Sequence, residues 1–222
     1  MAVEERELVS LIAERVLEML GQSAAGEDRK RVPIGISARH IHLSKEDAAV
    51  LFGPEHEFQI RNELYQKGQY AAEESVTLVG PRNVIRQVKV LLPLRKFTQV
   101  EVSRTDTITL GVLAPVSVNA GPGKGTRIFI AGPAGVIDRA DALICPRRHI
   151  HMSPGQAGNL GVEDGQEVRV RLSGKRALIL ENVIVRVAPD FLLQLHLDTD
   201  EANAADVACG AVATLVDEGE RQ

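Results

Sequence analysis

The segment RHIHLS at residues 39–44 returns almost unchanged as RHIHMS at residues 148–153. The chain has six histidines in 222 residues, and four of them stand in these two copies. The serine that ends each copy, Ser44 or Ser153, precedes a short segment that ends in glycine. This arrangement predicts a short helix with a serine N-cap. The repeated unit, a His-x-His strand followed by a capped helix, predicts two related domains.

Short strands are predicted from Val32 onward. Segments such as VTLVG, EVRVRL and LLQLHLD are rich in β-branched residues or alternate apolar with polar side chains, and turns rich in Gly and Pro separate them. Strands at this spacing predict barrels or sandwiches rather than a doubly wound sheet.

The N-terminal segment has a different pattern. Residues 2–20 place apolar side chains at helical spacing on one face, and Gly21 is a suitable stop. Residues 22–31 are small and polar, so they predict a linker. We therefore expect an amphipathic helix over residues 1–21 that is tethered to the body of the protein.

Composition excludes several classes of function. The formal net charge is −4 and no basic block is long, so no nucleic-acid surface is predicted. No apolar run approaches the roughly 20 residues of a membrane span, and the N-terminus lacks the layout of a signal peptide. Two cysteines form no disulfide framework, which is typical of a reducing cytoplasm.

The two His-x-His pairs predict metal binding. Residues i and i+2 of a strand face the same side, so His40 lies beside His42, and His149 beside His151. Neutral imidazoles that converge are ligands for zinc and other late first-row metals. One such pair alone is compatible with a strand surface that binds nothing, but repetition in matched contexts favours metal.

Further candidates come from the remaining strands and loops. Alternation in LLQLHLD places His196 opposite core leucines, which makes it the best fifth imidazole. Alternation in TQVEVS places Glu101 on the strand face opposite the core valines. This pattern by itself favours the interpretation of Glu101 as a solvated acid rather than a ligand. His56 falls in a predicted surface loop without a partner. Cys145 is a possible zinc ligand or nucleophile, but a lone cysteine is more often a small buried apolar group, so we leave it outside the site.

Four segments, VPIGISARHIHLS, FTQVEVSRTD, CPRRHIHMS and LHLDTDEANA, resemble the PduL-type phosphate acyltransferases (phosphate propanoyltransferases) of bacterial microcompartments. The resemblance covers the chain from about Val32 to Val216. It implies an acyltransferase that exchanges coenzyme A and inorganic phosphate on a short acyl group. It also implies a mainly β fold of two small β-barrel domains with short capping helices, one barrel from residues 25–38 and 147–216 and the other from residues 39–146.

By this resemblance the cofactors are two zinc ions per chain, and Glu101 is a ligand rather than a solvated acid. The implied ligands form two groups: His40, His42 and Glu101, and His149, His151 and His196. Arg95 would bind phosphate as a catalytic residue. The implied contacts with coenzyme A are Ser37, Lys89, Leu91 and Asn203. At one of these positions the resemblance leads us to expect arginine, and this chain has Lys89 there.

The resemblance further implies acyl-CoA and phosphate as substrates, and a place in the cytoplasm, within the lumen of a microcompartment for propanediol degradation. Its N-terminal helices resemble encapsulation peptides, so residues 2–20 would dock onto shell proteins by helix-in-groove contact. Composition alone leaves open that this helix packs on the barrels or forms a homo-oligomer. Five glutamates against two arginines in the segment disfavour a membrane surface.

Two other functions and one other mechanism remain open from the residues. His-x-His followed by Glu46 approximates a cupin pattern, which would make the protein a mononuclear metal enzyme, although Glu46 falls inside the predicted helix. A non-catalytic scaffold could use metals only to stabilise small barrels. Within the transacylase reading, we favour direct attack by phosphate, and an acyl-enzyme on Cys145 is the alternative.

Overall fold

The computed structural model describes residues 30–118 and 123–216. The predicted helix over residues 1–21 and almost all of the predicted linker lie outside this part. The strands are β1 Arg31–Ser37, β2 His40–Ser44, β3 Ile60–Glu63, β4 Tyr70–Val79, β5 Val84–Arg95, β6 Gln99–Glu101, β7 Val116–Ser117, β8 Thr126–Ala131, β9 Val136–Pro146, β10 His149–Met152, β11 Glu167–Leu172, β12 Leu178–Val187, β13 Gln194–Asp198 and β14 Val212–Val216. The helices are α1 Lys45–Phe52, α2 Arg104–Leu110, α3 Pro154–Leu160 and α4 Thr199–Ala205. Within the described ranges no helix has the length and apolar character needed to cross a membrane.

Six strands close the first barrel, barrel one, in the order β1-β13-β10-β12-β11-β14. Its interior is filled by one face of each strand, including Ile150, Val185 and Leu195, which are fully buried. Barrel two follows the path β4-β5-β2-β6-β9, and β8 closes it by pairing with both β4 and β9. Its core includes the fully buried Ile41, Val90 and Val100. The prediction of a mainly β protein with two barrels is confirmed.

The two barrels use the same pairing scheme. In barrel two, β2 lies between the parallel β5 and the antiparallel β6. In barrel one, β10 lies between the parallel β12 and the antiparallel β13. The strand before each His-x-His strand belongs to the other barrel, since β1 pairs with β13 and β9 pairs with β6. Each repeated motif therefore lies where the chain passes from one barrel to the other.

Both predicted capped helices are present. Ser44 accepts a hydrogen bond from the Asp47 backbone at the start of α1, and Gly53 ends that helix. Ser153 forms a full capping box at the start of α3, with proline in the first turn. Because a cap satisfies backbone donors that the first turn leaves unpaired, it fixes the point at which strand becomes helix.

Direct hydrogen bonds join the two barrels. The Thr105 backbone N–H in α2 donates to Asp200 Oδ2 in α4 at 2.7 Å. The side-chain amide of Gln66, in the turn between β3 and β4, bonds both backbone groups of Leu192, each at 3.0 Å. The first of these contacts connects the helix that follows β6 to the helix that follows β13, and the second connects the β3–β4 turn to the segment before β13.

Candidate metal centre

Strand register brings three candidate ligands together in each barrel. His40 pairs with Glu101 across β2 and β6, and His149 pairs with His196 across β10 and β13. Directly paired residues of neighbouring strands project to the same face. The second histidine of each motif, two residues further on, shares that face. The same register therefore forms two groups of three.

His40, His42 and Glu101, called here the carboxylate group, have ligand atoms within 4.8 Å of one another. Glu101 Oε2 lies 3.5 Å from His40 Nε2, and Glu101 Oε1 lies 3.9 Å from His42 Nε2. Gln99 Nε2 donates to Glu101 Oε1 at 2.5 Å, which orients the carboxylate.

Burial and mutual charge set the ionisation of the carboxylate group. Burial opposes protonation of His40, but the Glu101 carboxylate outweighs it and raises the pKa of His40. Burial would raise the pKa of Glu101, yet His40 and His42 hold it well below its usual range. Burial, then the charges of His40 and Arg95, lower the pKa of His42. The carboxylate is therefore ionised at neutral pH and able to bind a cation.

His149, His151 and His196, called here the histidine group, also place their ligand atoms within 4.8 Å of one another. The rings of His149 and His196 stack with centroids 4.8 Å apart, and His151 lies 4.6 Å from each. Burial, with a smaller effect of the neighbouring imidazoles, lowers the pKa of His151 to about 2 and that of His196 to about 3. These rings are therefore neutral near pH 7, the form that binds metals.

The ring nitrogens fit zinc in both groups. His40 Nδ1 donates to the Ala38 carbonyl and His149 Nδ1 to the Arg147 carbonyl, each at 2.8 Å, which directs Nε2 into the group. Among the described residues, His42, His151 and His196 have buried ring nitrogens without a hydrogen-bond partner. Buried polar atoms without partners are costly, and a bound cation would satisfy one nitrogen of each ring. Three protein ligands with a position left open are typical of catalytic zinc.

Two arginines lie beside the groups. Arg95, at the end of β5, pairs in register with Ser44, and Arg186 of β12 pairs with His151. The Arg186 guanidinium lies 5.8 Å from the centre of the Phe191 ring, which stacks on His151 at 3.9 Å. Partial desolvation lowers the pKa of Arg95, Glu101 opposes that shift, and the charge of Arg186 adds to it. Positive charge from both barrels thus approaches the same region.

The predicted contacts with coenzyme A divide between the barrels. Lys89 and Leu91 of β5 pair with His40 and His42, on the side of β2 opposite β6. The Lys89 ammonium donates to the Glu73 carbonyl at 2.6 Å.

In barrel one, Ser37 pairs with Asp198, the residue that caps α4. Asn203 is exposed on that helix. The structure therefore places Ser37 beside the end of β13 and Asn203 in the helix that follows it.

Three other candidates lie outside both groups. Glu46 is exposed in the first turn of α1, away from the two sets of ligand atoms. Cys145 is buried in the core of barrel two, and burial raises the pKa of its thiol. The prediction that His56 lacks a partner was wrong, because its Nε2 lies 2.9 Å from Glu74 Oε1.

Sequence reasoning missed Gln99, Gln194, Arg186 and Phe191. A signal for the two glutamines exists, because each stands two residues before the third member of a group, in QVE and QLH. Gln194 is buried and pairs with His151 as Gln99 pairs with His42. No comparable signal marks Arg186 or Phe191, since strand pairing and ring stacking bring them to His151.

Comparisons with known proteins identify relatives of this chain. The family model described as phosphate propanoyltransferase matches residues 33–208. A phosphate propanoyltransferase of Thermotoga maritima is 48% identical over 186 residues, which is 83% of this chain and 88% of that protein. Proteins of the same name from Priestia megaterium and Citrobacter freundii are 43% and 47% identical. They align over 96% and 90% of this chain, and over 97% and 96% of their own lengths.

Proposed function

The chain belongs to the phosphate propanoyltransferase family of acyltransferases, and from this premise we propose that it interconverts a short-chain acyl-CoA plus phosphate with an acyl phosphate plus CoA. The observation that carries the proposal is the pair of matched three-residue groups, formed by the same register in two barrels. One group contains a carboxylate and the other three neutral imidazoles, so the two are built to hold two divalent cations in different environments.

His40, His42 and Glu101 would hold one zinc ion, and His149, His151 and His196 the other. Zinc supplies a Lewis acid that polarises a thioester carbonyl and stabilises negative charge on the departing thiolate. The hydrogen bonds of His40, His149 and Glu101 to their neighbours would hold these ligands in orientation.

The arginines would bind and orient phosphate. A guanidinium matches phosphate oxygens with a planar fork and offsets their charge. Arg95 on barrel two is the main candidate, and Arg186 on barrel one would add a second positive charge. Holding phosphate beside the acyl carbon replaces a bimolecular collision with a positioned attack.

The reaction would proceed in one displacement within a ternary complex. A phosphate oxygen forms a bond to the acyl carbon, the carbon–sulfur bond breaks, and coenzyme A leaves as a thiolate. The proton that hydrogen phosphate gives up passes through solvent to this thiolate. Burial of Cys145 and its raised pKa support this route over an acyl-enzyme, because a nucleophilic cysteine needs access and thiolate character. Ser37, Lys89, Leu91 and Asn203 would contact coenzyme A.

We also propose that residues 2–20 dock onto shell proteins and place the enzyme in a microcompartment lumen. The support is the amphipathic pattern of this segment and its polar linker.

The test is to mix purified protein with phosphate and either acetyl-CoA or propanoyl-CoA, and to follow release of free thiol while counting bound metal. We expect phosphate-dependent thiol release and close to two zinc ions per chain. One metal per chain would favour the cupin reading, and metal without exchange would favour a scaffold. Cys145→Ala should retain turnover, and its loss in a folded variant would favour the acyl-enzyme.

A further inference from the structure

The arginine that opens each repeated motif makes the same kind of ion pair in both barrels. Arg39 Nη2 lies 3.2 Å from Asp106 Oδ1, and Arg148 Nη1 lies 3.1 Å from Glu201 Oε1. Each arginine directly precedes the first histidine of its group. Each ion pair therefore begins at the residue next to the first histidine of its group.

The acidic partners occupy equivalent positions in the fold. Asp106 is the third residue of α2 and Glu201 the third residue of α4, and each closes a capping box with the residue that caps its helix. In each barrel that capping residue stands two positions after the third member of the group, Ser103 after Glu101 and Asp198 after His196. Each ion pair therefore ends at the helix that follows the third member of its group.

From this geometry we infer that Arg39 and Arg148 are positioning residues, which hold the third metal ligand of each group against its His-x-His pair. Each guanidinium connects the start of a His-x-His strand to the helix cap that fixes the end of the third ligand's strand. The inference rests on the proposed function in one respect, that the two groups bind metal.

Recurrence distinguishes this contact from an ordinary surface ion pair. The acid is Asp in one barrel and Glu in the other, and the capping residue is Ser in one and Asp in the other, yet the connection is kept. Isolated exposed ion pairs add little to the free energy of unfolding. We therefore expect loss of either ion pair to change the geometry of the metal ligands more than it changes the stability of the protein.

The effect should be stronger at Arg148. Its side chain is 27% exposed, against 44% for Arg39, and its Nε also donates to the Glu181 carbonyl at 2.8 Å. Arg148 thereby joins β12, α4 and the start of β10, whereas the ion pair of Arg39 joins the start of β2 to α2.

The test measures Co²⁺ binding to one group at a time. His42→Ala disables the carboxylate group, so that Co²⁺ titration and its visible absorption report on the histidine group. His149→Ala disables the histidine group, so that the same measurements report on the carboxylate group. In the first background, Arg148→Ala should weaken Co²⁺ binding roughly tenfold and alter the absorption bands, since losing the support of a metal ligand costs about 10–100-fold in affinity. In the second background, Arg39→Ala should act in the same direction with a smaller change.

Matched controls remove a guanidinium elsewhere on each barrel. Arg176→Ala removes an exposed guanidinium in the turn between β11 and β12 of barrel one, and Arg127→Ala removes one that pairs with Asp138 on barrel two. Both should leave Co²⁺ affinity and absorption unchanged. Glu201→Gln, which keeps a side-chain oxygen for the cap but loses the charge, should reproduce the effect of Arg148→Ala even if the latter folds poorly.

The outcomes separate this inference from the proposed function. If the His42→Ala and His149→Ala proteins bind no Co²⁺, the metal sites fail and this inference fails with them. If both bind Co²⁺ and neither Arg148→Ala nor Glu201→Gln changes affinity or absorption, the proposed metal sites stand and the positioning role is refuted. Equal losses in the Arg176→Ala control would also refute it.

Discussion

Acidification should destabilise the metal-free protein between pH 7 and pH 5. Burial is the main reason that the pKa of His151 falls to about 2 and that of His196 to about 3, from an ordinary value of 6.5. Below pH 6.5 the unfolded chain takes up protons that the folded chain cannot accept at these rings. The free energy of unfolding therefore falls as the pH falls through this window.

The magnitude follows from linkage. A histidine that titrates at 6.5 when unfolded and stays neutral when folded loses about 2 kcal/mol of stability between pH 7 and pH 5. His151 and His196 together give about 4 kcal/mol, a large part of the roughly 5–15 kcal/mol that holds a domain folded. The raised pKa of His40 increases the free energy of unfolding as the pH falls, but this gain is complete once the pH has fallen to 6.5. The lowered pKa of Glu101 matters only as the pH falls through about 4.5.

The assay is urea unfolding of chelator-treated protein at pH 7 and pH 5. Burial also lowers the pKa of His42 and of His149, so these rings add to the same fall in stability. The double variant His151→Gln/His196→Gln should therefore lose about 4 kcal/mol of the pH dependence and keep the remainder, whereas His56→Gln, outside both groups, should keep all of it. A wild-type difference below about 1 kcal/mol would refute the reasoning, because it would mean that these rings are protonated as readily in the folded state.

Three further predictions concern the proposed function. His42→Ala and His149→Ala should each remove one zinc ion and lower turnover by at least about tenfold, and wild-type metal content and turnover in either would contradict the ligand assignment. Arg95→Lys keeps the charge but loses the fork, so it should raise the KM for phosphate more than that for acyl-CoA; a change confined to acyl-CoA would show that Arg95 does not bind phosphate. Deletion of residues 1–21 should leave zinc content and specific activity near wild type and abolish co-assembly with shell proteins. Unfolding or inactivation of the truncated protein would instead assign the helix to the core.

Local sequence patterns predicted much of the strand and helix content. Alternation placed His196 opposite Leu195 and Leu197, and Glu101 opposite Val100, and these apolar side chains are buried. The serine caps predicted α1 and α3, because a cap depends on residues only three positions apart. The duplication was also visible, since each copy kept the whole motif.

Tertiary structure decided which strands are neighbours. Alternation assigns a side chain to a face of its strand but says nothing about the partner strand or the register, and these depend on contacts between residues far apart in the chain. The pairing of His40 with Glu101, of His151 with Arg186 and of Arg148 with Glu201 is of this kind. Each barrel closes with the strand that precedes the His-x-His motif of the other barrel, β1 in barrel one and β9 in barrel two. This closure fixes the pairings, because a closed barrel admits one register around its whole circumference.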